Sequence, residues 1–192
     1  MTRTVRVSLK LLGIFIATIC VFLLVVPFLG YGWHLFHRNY ISYAGWKIPV
    51  PKDYLVMAGT KSPSIMKLSL GEPYFGAPYS HVSFFGHKPG GGEFKGSRDS
   101  VLFEESMSES AAKEGFRPKS KHIVAVGDKV ASCLEFERNG KQPRSLVYCA
   151  VENAHIFPHF EGDAQYIPEF FSILNGMSQE SVNENGEGRK KT

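Results

Sequence analysis

Two cysteines have the spacing of a cross-link between neighbouring strands. Cys133 and Cys149 flank the five-residue loop 139–143, which joins two segments with the alternating pattern of β-strands. A hairpin closed by this loop places the two cysteines opposite each other, about 4.5–5.5 Å apart and within reach of a disulfide. Two buried free thiols are the alternative, because small apolar thiols pack well. We expect the disulfide if the chain folds in an oxidising compartment.

Seven histidines raise the question of a metal site. Four of them form two pairs of equal parity along predicted strands, His81 with His87 and His155 with His159. Zinc requires three or four convergent ligands that other groups hold in place, and the sequence has no His-x-His or Cys-x-x-Cys spacing. We therefore expect surface or half-buried histidines, with no metal and no cofactor.

The sequence lacks the common motifs of catalysis. It has no Gly-x-Ser-x-Gly elbow, and no cysteine lies beside a plausible base. The run Gly90–Gly92 lacks the Lys-Ser/Thr of a phosphate-binding loop. Glu104, Glu105 and Glu109 have the spacing of a solvated helix face. The sequence thus predicts a protein that is not an enzyme.

The formal net charge of +4 comes mainly from the two ends of the chain. Between residues 35 and 177, 16 Lys or Arg face 15 Asp or Glu, so this part is nearly neutral. Nucleic-acid-binding proteins usually concentrate positive charge on one face, and no such block occurs here. We therefore expect no nucleic acid as a partner.

The first forty residues contain one dense apolar block. Residues 11–33 are 23 consecutive positions without Asp, Glu, Lys, Arg or His, and 14 of them are Leu, Ile, Val or Phe. As a helix they would span about 34 Å, against a hydrocarbon core of about 30 Å. A cleaved signal peptide has a shorter core and a small-residue cleavage site, and a buried core helix normally carries polar positions. The block therefore predicts an uncleaved transmembrane helix, that is, a signal-anchor.

The charges on either side of this block predict its orientation. Three basic residues precede it and two follow it, and the excess favours a cytosolic N-terminus at residues 1–10. The five residues are Arg3, Arg6, Lys10, Arg38 and Lys47. The domain would then be extracytoplasmic, joined to the helix by a juxtamembrane link at 34–39. The expected partners are the lipid bilayer and another membrane or envelope protein.

Residues 40–177 have the pattern of one globular domain. Alternating segments predict strands from Tyr40 onward, a capped amphipathic helix over 97–116 and a closing helix that begins near Pro168. The fold class is therefore α+β: an N-terminal transmembrane helix followed by one mainly antiparallel sheet flanked by two helices. Residues 178–192 contain almost no apolar side chain and predict a disordered tail.

Two short segments carry a resemblance to a known fold. Residues 48–54 (IPVPKDY) and 166–174 (YIPEFFSIL), with a helix between them and the strand run 122–160, resemble the PsbP-like fold. The likeness is one of element order and loose pattern. That family has no common enzymatic centre, so the resemblance implies a binding or accessory role and no particular functional residue.

These features favour a non-enzymatic, membrane-anchored extracytoplasmic domain that serves as a binding or accessory module. The alternative is a small extracytoplasmic metal-binding protein or enzyme that uses the four histidines named above. A third hypothesis is a structural subunit whose membrane helix pairs with another, because Gly13 and Ala17 have a small-x-x-x-small spacing.

Overall fold

The structure is a computed structural model that describes residues 12–18, 32–57, 62–67, 79–86, 96–140 and 143–180. Two described helical segments, residues 12–18 (α1) and 32–37 (α2), precede the strands.

The predicted transmembrane span 11–33 is only partly described, since residues 19–31 lie outside the described residues. In the part of the chain that is described, no helix is long and apolar enough to cross a membrane. This finding for the described residues argues against the predicted single-pass membrane protein with a signal-anchor helix, a cytosolic N-terminus and an extracytoplasmic domain.

The described strands form two sheets, and every neighbouring pair in them is antiparallel. The small sheet has the order β1-β2-β10 and the large sheet the order β3-β4-β5-β9-β8-β7-β6. The strands of the small sheet are Tyr40–Tyr43 (β1), Trp46–Pro49 (β2) and Ser178–Gln179 (β10). Those of the large sheet are Tyr54–Met57 (β3), Ser64–Lys67 (β4), Ser80–Gly86 (β5), Arg117–Val126 (β6), Lys129–Arg138 (β7), Arg144–Val151 (β8) and Ile156–Gly162 (β9).

The prediction of one sheet flanked by two helices is therefore wrong, because the chain changes sheet after β2. Pro49 closes β2, and the amide of Val50 turns back to the carbonyl of Asn39 at 2.8 Å. A tight turn follows, in which the amide of Tyr54 bonds to the carbonyl of Pro51 at 3.0 Å. Prolines cannot donate to a strand ladder, so β2 ends at Pro49. After the turn, β3 pairs with β4 and begins the large sheet. The described part of the chain is mostly antiparallel strand, with helical segments before and between the strands.

The two longer helices lie where the sequence predicts them. α3 spans Gly96–Lys113, and α4 spans Ile167–Asn175 after a 3-10 turn at Ala164–Tyr166. α3 ends before Gly115, whose φ of +81° suits glycine at the end of a helix. Ser178 and Gln179, the first residues of the expected disordered tail, form β10, and residues 181–192 lie outside the described residues.

The large sheet has a separate apolar core on each face. The main core lies between the large sheet, the small sheet and α4, and its large side chains include Trp46, Ile48, Tyr54, Phe160 and Phe170. The smaller core lies under α3 and consists of Ala111, Phe116, Leu134, Phe136 and Leu146. The sheet thus forms the central layer, and residues of alternate parity along β7 face α3 and α4.

Candidate functional site

The fold separates the four histidines considered as metal ligands. His81 on β5 and His159 on β9 lie on the same face of the large sheet, because Ser83 is opposite His159 in the register. His155 lies in the turn before β9, and His87 lies outside the described residues. Among the residues that are described, no group of three or more His, Cys, Asp or Glu could hold a metal ion.

His159 lies in an apolar setting. Its ring stacks on that of Tyr148 with centroids 4.8 Å apart, and neither ring nitrogen has a hydrogen-bond partner within the described chain. Burial and the neighbouring His81 lower the pKa of His159 to about 4, and burial lowers the pKa of His81. Both rings are therefore neutral at neutral pH, and neither is tuned for proton transfer near pH 7.

The two cysteines predicted to face each other do so. Cys133 and Cys149 are opposite in the β7–β8 register, and the structure joins them in a disulfide with sulfur atoms 2.04 Å apart. Both residues are buried in the main core. The bond ties β7 to β8 inside the sheet, so neither sulfur is available as a nucleophile.

A buried carboxylate on β7 collects three donors from β6. Glu135 is only 5% exposed. It accepts hydrogen bonds from Lys119 Nζ at 2.7 Å, Ser120 Oγ at 2.6 Å and His122 Nε2 at 2.7 Å. Burial alone would raise the pKa of Glu135, but the hydrogen bonds from these three groups hold it below its usual value. The carboxylate is therefore charged at neutral pH.

A β-bulge in β6 brings these donors together. Pro118 is opposite Phe136 and Ser120 is opposite Glu135, so Lys119 is the extra residue. In a regular strand, successive side chains point to opposite faces, and Lys119 and Ser120 could not both reach one carboxylate. The bulge removes this restriction, because it locally re-aims the side chains of its strand.

The cluster contains the residue types of a hydrolytic triad but not the geometry of one. His122 Nε2 lies 2.7 Å from Glu135 and 3.0 Å from Ser120 Oγ. A catalytic histidine contacts its acid through one ring nitrogen and its nucleophile through the other, whereas a single nitrogen of His122 contacts both. Ser120 also donates to Glu135. We conclude that the cluster fixes the bulge and does not activate the serine.

The bulge borders a cavity of about 330 Å³ at the end of the large sheet. Its walls come from the bulge, the β7–β8 hairpin and the 3-10 turn. The charged residues that line it are Lys119, Glu137, Arg138, Arg144 and Asp163. The volume lies at the lower end of the range for small-molecule sites.

Two arginines lie opposite each other where the hairpin closes. Such like-charged pairs are destabilising, but each of the two guanidinium groups lies over a different aromatic ring. Arg138 lies over Phe116 at 4.7 Å and donates to the carbonyl of Glu114 at 3.3 Å. Arg144 lies over Tyr79 at 4.5 Å. Its Nη1 is buried and has no hydrogen-bond partner among the described residues.

Asp163 holds the opposite wall of the cavity in place. Its carboxylate accepts a hydrogen bond from the amide of Tyr79 at 2.6 Å, and its own amide donates to the carbonyl of Tyr79 at 2.8 Å. The neighbouring Gly162 passes so close that an added Cβ would collide with this carbonyl. Two hydrogen bonds from Asp163 to the backbone of Tyr79 therefore hold in place the residue whose ring stacks on Arg144.

The sequence indicates only part of this site. The hairpin register predicted from the loop length, with Arg138 opposite Arg144, is confirmed. The cluster around Glu135 is not predicted. Two features of the sequence could have indicated it. Glu135 is a carboxylate inside an otherwise buried strand, where a buried charge needs donors. Pro118 lies inside a strand, and a proline there marks an edge or a bulge.

Comparison with known proteins assigns no family: no family model matches this chain, and no curated protein matches it. The resemblance to the PsbP-like fold therefore stays a prediction, and function has to be argued from the site itself.

Proposed function

We propose that this chain is a non-enzymatic binding module whose ligand is a small molecule with a carboxylate and an ammonium group. The ligand occupies the cavity beside the bulge. The proposal rests on Arg144, which lines this cavity and whose buried Nη1 has no hydrogen-bond partner in the described chain. A buried donor without an acceptor costs free energy. A carboxylate is the acceptor whose planar shape fits a guanidinium group.

The mixed charge of the walls supports a zwitterion over a polyanion. Glu137 and Asp163 provide negative charge, and Lys119 is already paired with Glu135 at 2.7 Å. Arg138 is engaged with an aromatic ring and a carbonyl group, as described above. A phosphate group would meet two carboxylates, whereas an ammonium group would be attracted by them.

A binding role is also supported by what the cavity lacks. Its described lining contains no histidine or cysteine. The nearest clustered histidine, His122, is held by a carboxylate that is itself saturated with donors. The serine of the described walls, Ser145, is buried, and no histidine of the lining is available to activate it as a nucleophile. A binding or accessory role is likewise what the resemblance to the PsbP-like fold implies.

Calorimetric titration of the full-length protein with alanyl-alanine tests the proposal. We expect saturable binding with a dissociation constant of about 1 mM or tighter. The C-terminally amidated dipeptide should not bind, because it lacks the carboxylate. The N-acetylated dipeptide should bind more weakly than the zwitterion. Inorganic phosphate should bind more weakly than either carboxylate, because of Glu137 and Asp163.

Variants identify the arginine responsible. Arg144→Gln should abolish binding, and Arg144→Lys should restore it only in part, because an ammonium group cannot form the paired contact. Lys47→Gln is the matched control: Lys47 also lies over an aromatic ring, Tyr40 at 5.6 Å, but in the small sheet. No binding of any probe to the wild type, or equal binding by Arg144→Gln and wild type, would refute the proposal.

A further inference from the structure

β6 forms one edge of the large sheet, and its two halves differ. In the N-terminal half, Pro118 and the bulge interrupt regular pairing, which is how natural edge strands avoid association. The C-terminal half, residues 121–126, is regular and contains neither proline nor glycine. β7 is the only described strand that pairs with β6. Within the described chain, the outer backbone donors and acceptors of this half therefore pair with no other strand.

The same half carries an exposed apolar side chain. Ile123 is 83% exposed, and Val130 on the neighbouring strand is 40% exposed. Both lie on the α3 side of the sheet, since Ile123 is opposite Ser132, which shares the parity of Val130. Lys121 is the only charged residue of segment 121–126 apart from a histidine, and Glu104 neutralises it at 2.6 Å. Edge strands that avoid pairing usually carry exposed charged side chains. This segment instead carries an exposed isoleucine and a lysine whose charge is neutralised.

We propose that residues 121–126 pair with the same segment of a second copy of this chain, in antiparallel register around Ile123. A two-fold axis perpendicular to the sheet keeps opposed residues on the same face. The axis must therefore pass between the two copies of one residue, which lie opposite each other. With the axis at Ile123, the two isoleucines face each other. Lys121 then lies opposite Ala125 of the second copy, and His122 lies opposite its Val124.

This register is also the one that the charges favour. It opposes no like charges over residues 121–126. It brings the acidic turn residue Asp128 of one copy beside the Pro118–Lys119 bulge of the other. A shift of the axis to His122 would instead place each isoleucine opposite Lys121. The segment is short, so the interface is small, and we expect a dimer that dissociates on dilution.

Sedimentation equilibrium of the full-length protein over a concentration series tests the dimer. The wild type should dimerise, and Ile123→Lys should raise the dimer dissociation constant by more than about tenfold, because like charges then face each other. Val101→Lys is the control: Val101 is 55% exposed on α3 and should behave as the wild type. A wild type that is monomeric throughout, or an equal loss in both variants, overturns the proposal.

Cross-linking tests the register. In a Cys20→Ser background, Ile123→Cys should form an intermolecular disulfide, because opposed residues lie about 4.5–5.5 Å apart. Ala125→Cys should not, since two copies of residue 125 would be about 14 Å apart along the strands. Equal cross-linking of both variants, or faster cross-linking at residue 125, overturns the register centred on Ile123.

Discussion

Removal of the charge on Glu135 is the sharpest test of how the bulge is held. In Glu135→Gln, the new amide group points a donor at groups that already donate, namely Lys119, Ser120 and His122. A hydrogen bond to a charged group contributes about 1.5–3 kcal/mol. The side chains of Lys119 and His122 remain 41% and 32% exposed and can turn to water. We therefore count about one such bond and expect a loss of about 2–3 kcal/mol.

The pH dependence gives this prediction a second readout. The folded-state pKa of Glu135 is below the ordinary glutamate value of 4.5, so the contribution of its charge to stability is complete above pH 4.5 and is lost as pH falls through the folded-state pKa. Urea unfolding of the wild type and Glu135→Gln at pH 7 and at stepwise lower pH should show a gap that closes in acid.

The control for this comparison is an exposed carboxylate. Glu109 pairs with Lys113 on the surface of α3 and is 70% exposed, so Glu109→Gln should change the unfolding free energy by less than about 0.5 kcal/mol. A loss below about 0.5 kcal/mol in Glu135→Gln at pH 7, or a loss that does not depend on pH, would show that the three donors do not depend on the carboxylate.

Three further predictions concern stability. Replacing both Cys133 and Cys149 by Ala should cost about 3 kcal/mol in urea unfolding, because the disulfide closes a loop with a sequence separation of 16; an equal urea midpoint for oxidised and variant protein contradicts this. Gly162→Ala should cost about 1–3 kcal/mol by overpacking against the carbonyl of Tyr79, and an unchanged thermal midpoint would contradict the close approach. Burial lowers the pKa of His159 to about 4, from the ordinary histidine value of 6.5, so the unfolded state binds the proton first as pH falls. Stability should fall by up to about 3 kcal/mol as pH drops from about 6.5 to 4; a wild type with no such slope, or a His159→Phe variant that keeps it, excludes this histidine as the cause.

Local pattern predicts much of the domain because its strands are joined by short connections. Alternation and loop length place the β7–β8 hairpin in its observed register, with Cys133 opposite Cys149. Helix caps and breakers place α3 and α4 within a few residues of their observed bounds. Each of these features depends on residues close together in the chain, so propensity and turn geometry decide it.

The features that the sequence does not reveal depend on distant partners. β10 pairs with β2 although more than 120 residues separate them, and no pattern in either segment specifies the other. The division into two sheets follows from this pairing as much as from Pro49. The apolar block at 11–33 has the composition of a membrane helix, but residues 19–31 lie outside the described residues, and no described helix is long and apolar enough to cross a membrane.

One extra residue in β6 accounts for both proposed surfaces. Lys119 is accommodated only because the strand bulges, and its side chain then bonds to Glu135 and lines the cavity. The same bulge ends the regular part of the edge, so pairing with another strand is confined to residues 121–126. The proposed ligand site and the proposed self-association surface therefore lie on different halves of one strand. A substitution at Ile123 can alter the second without removing any residue that lines the cavity.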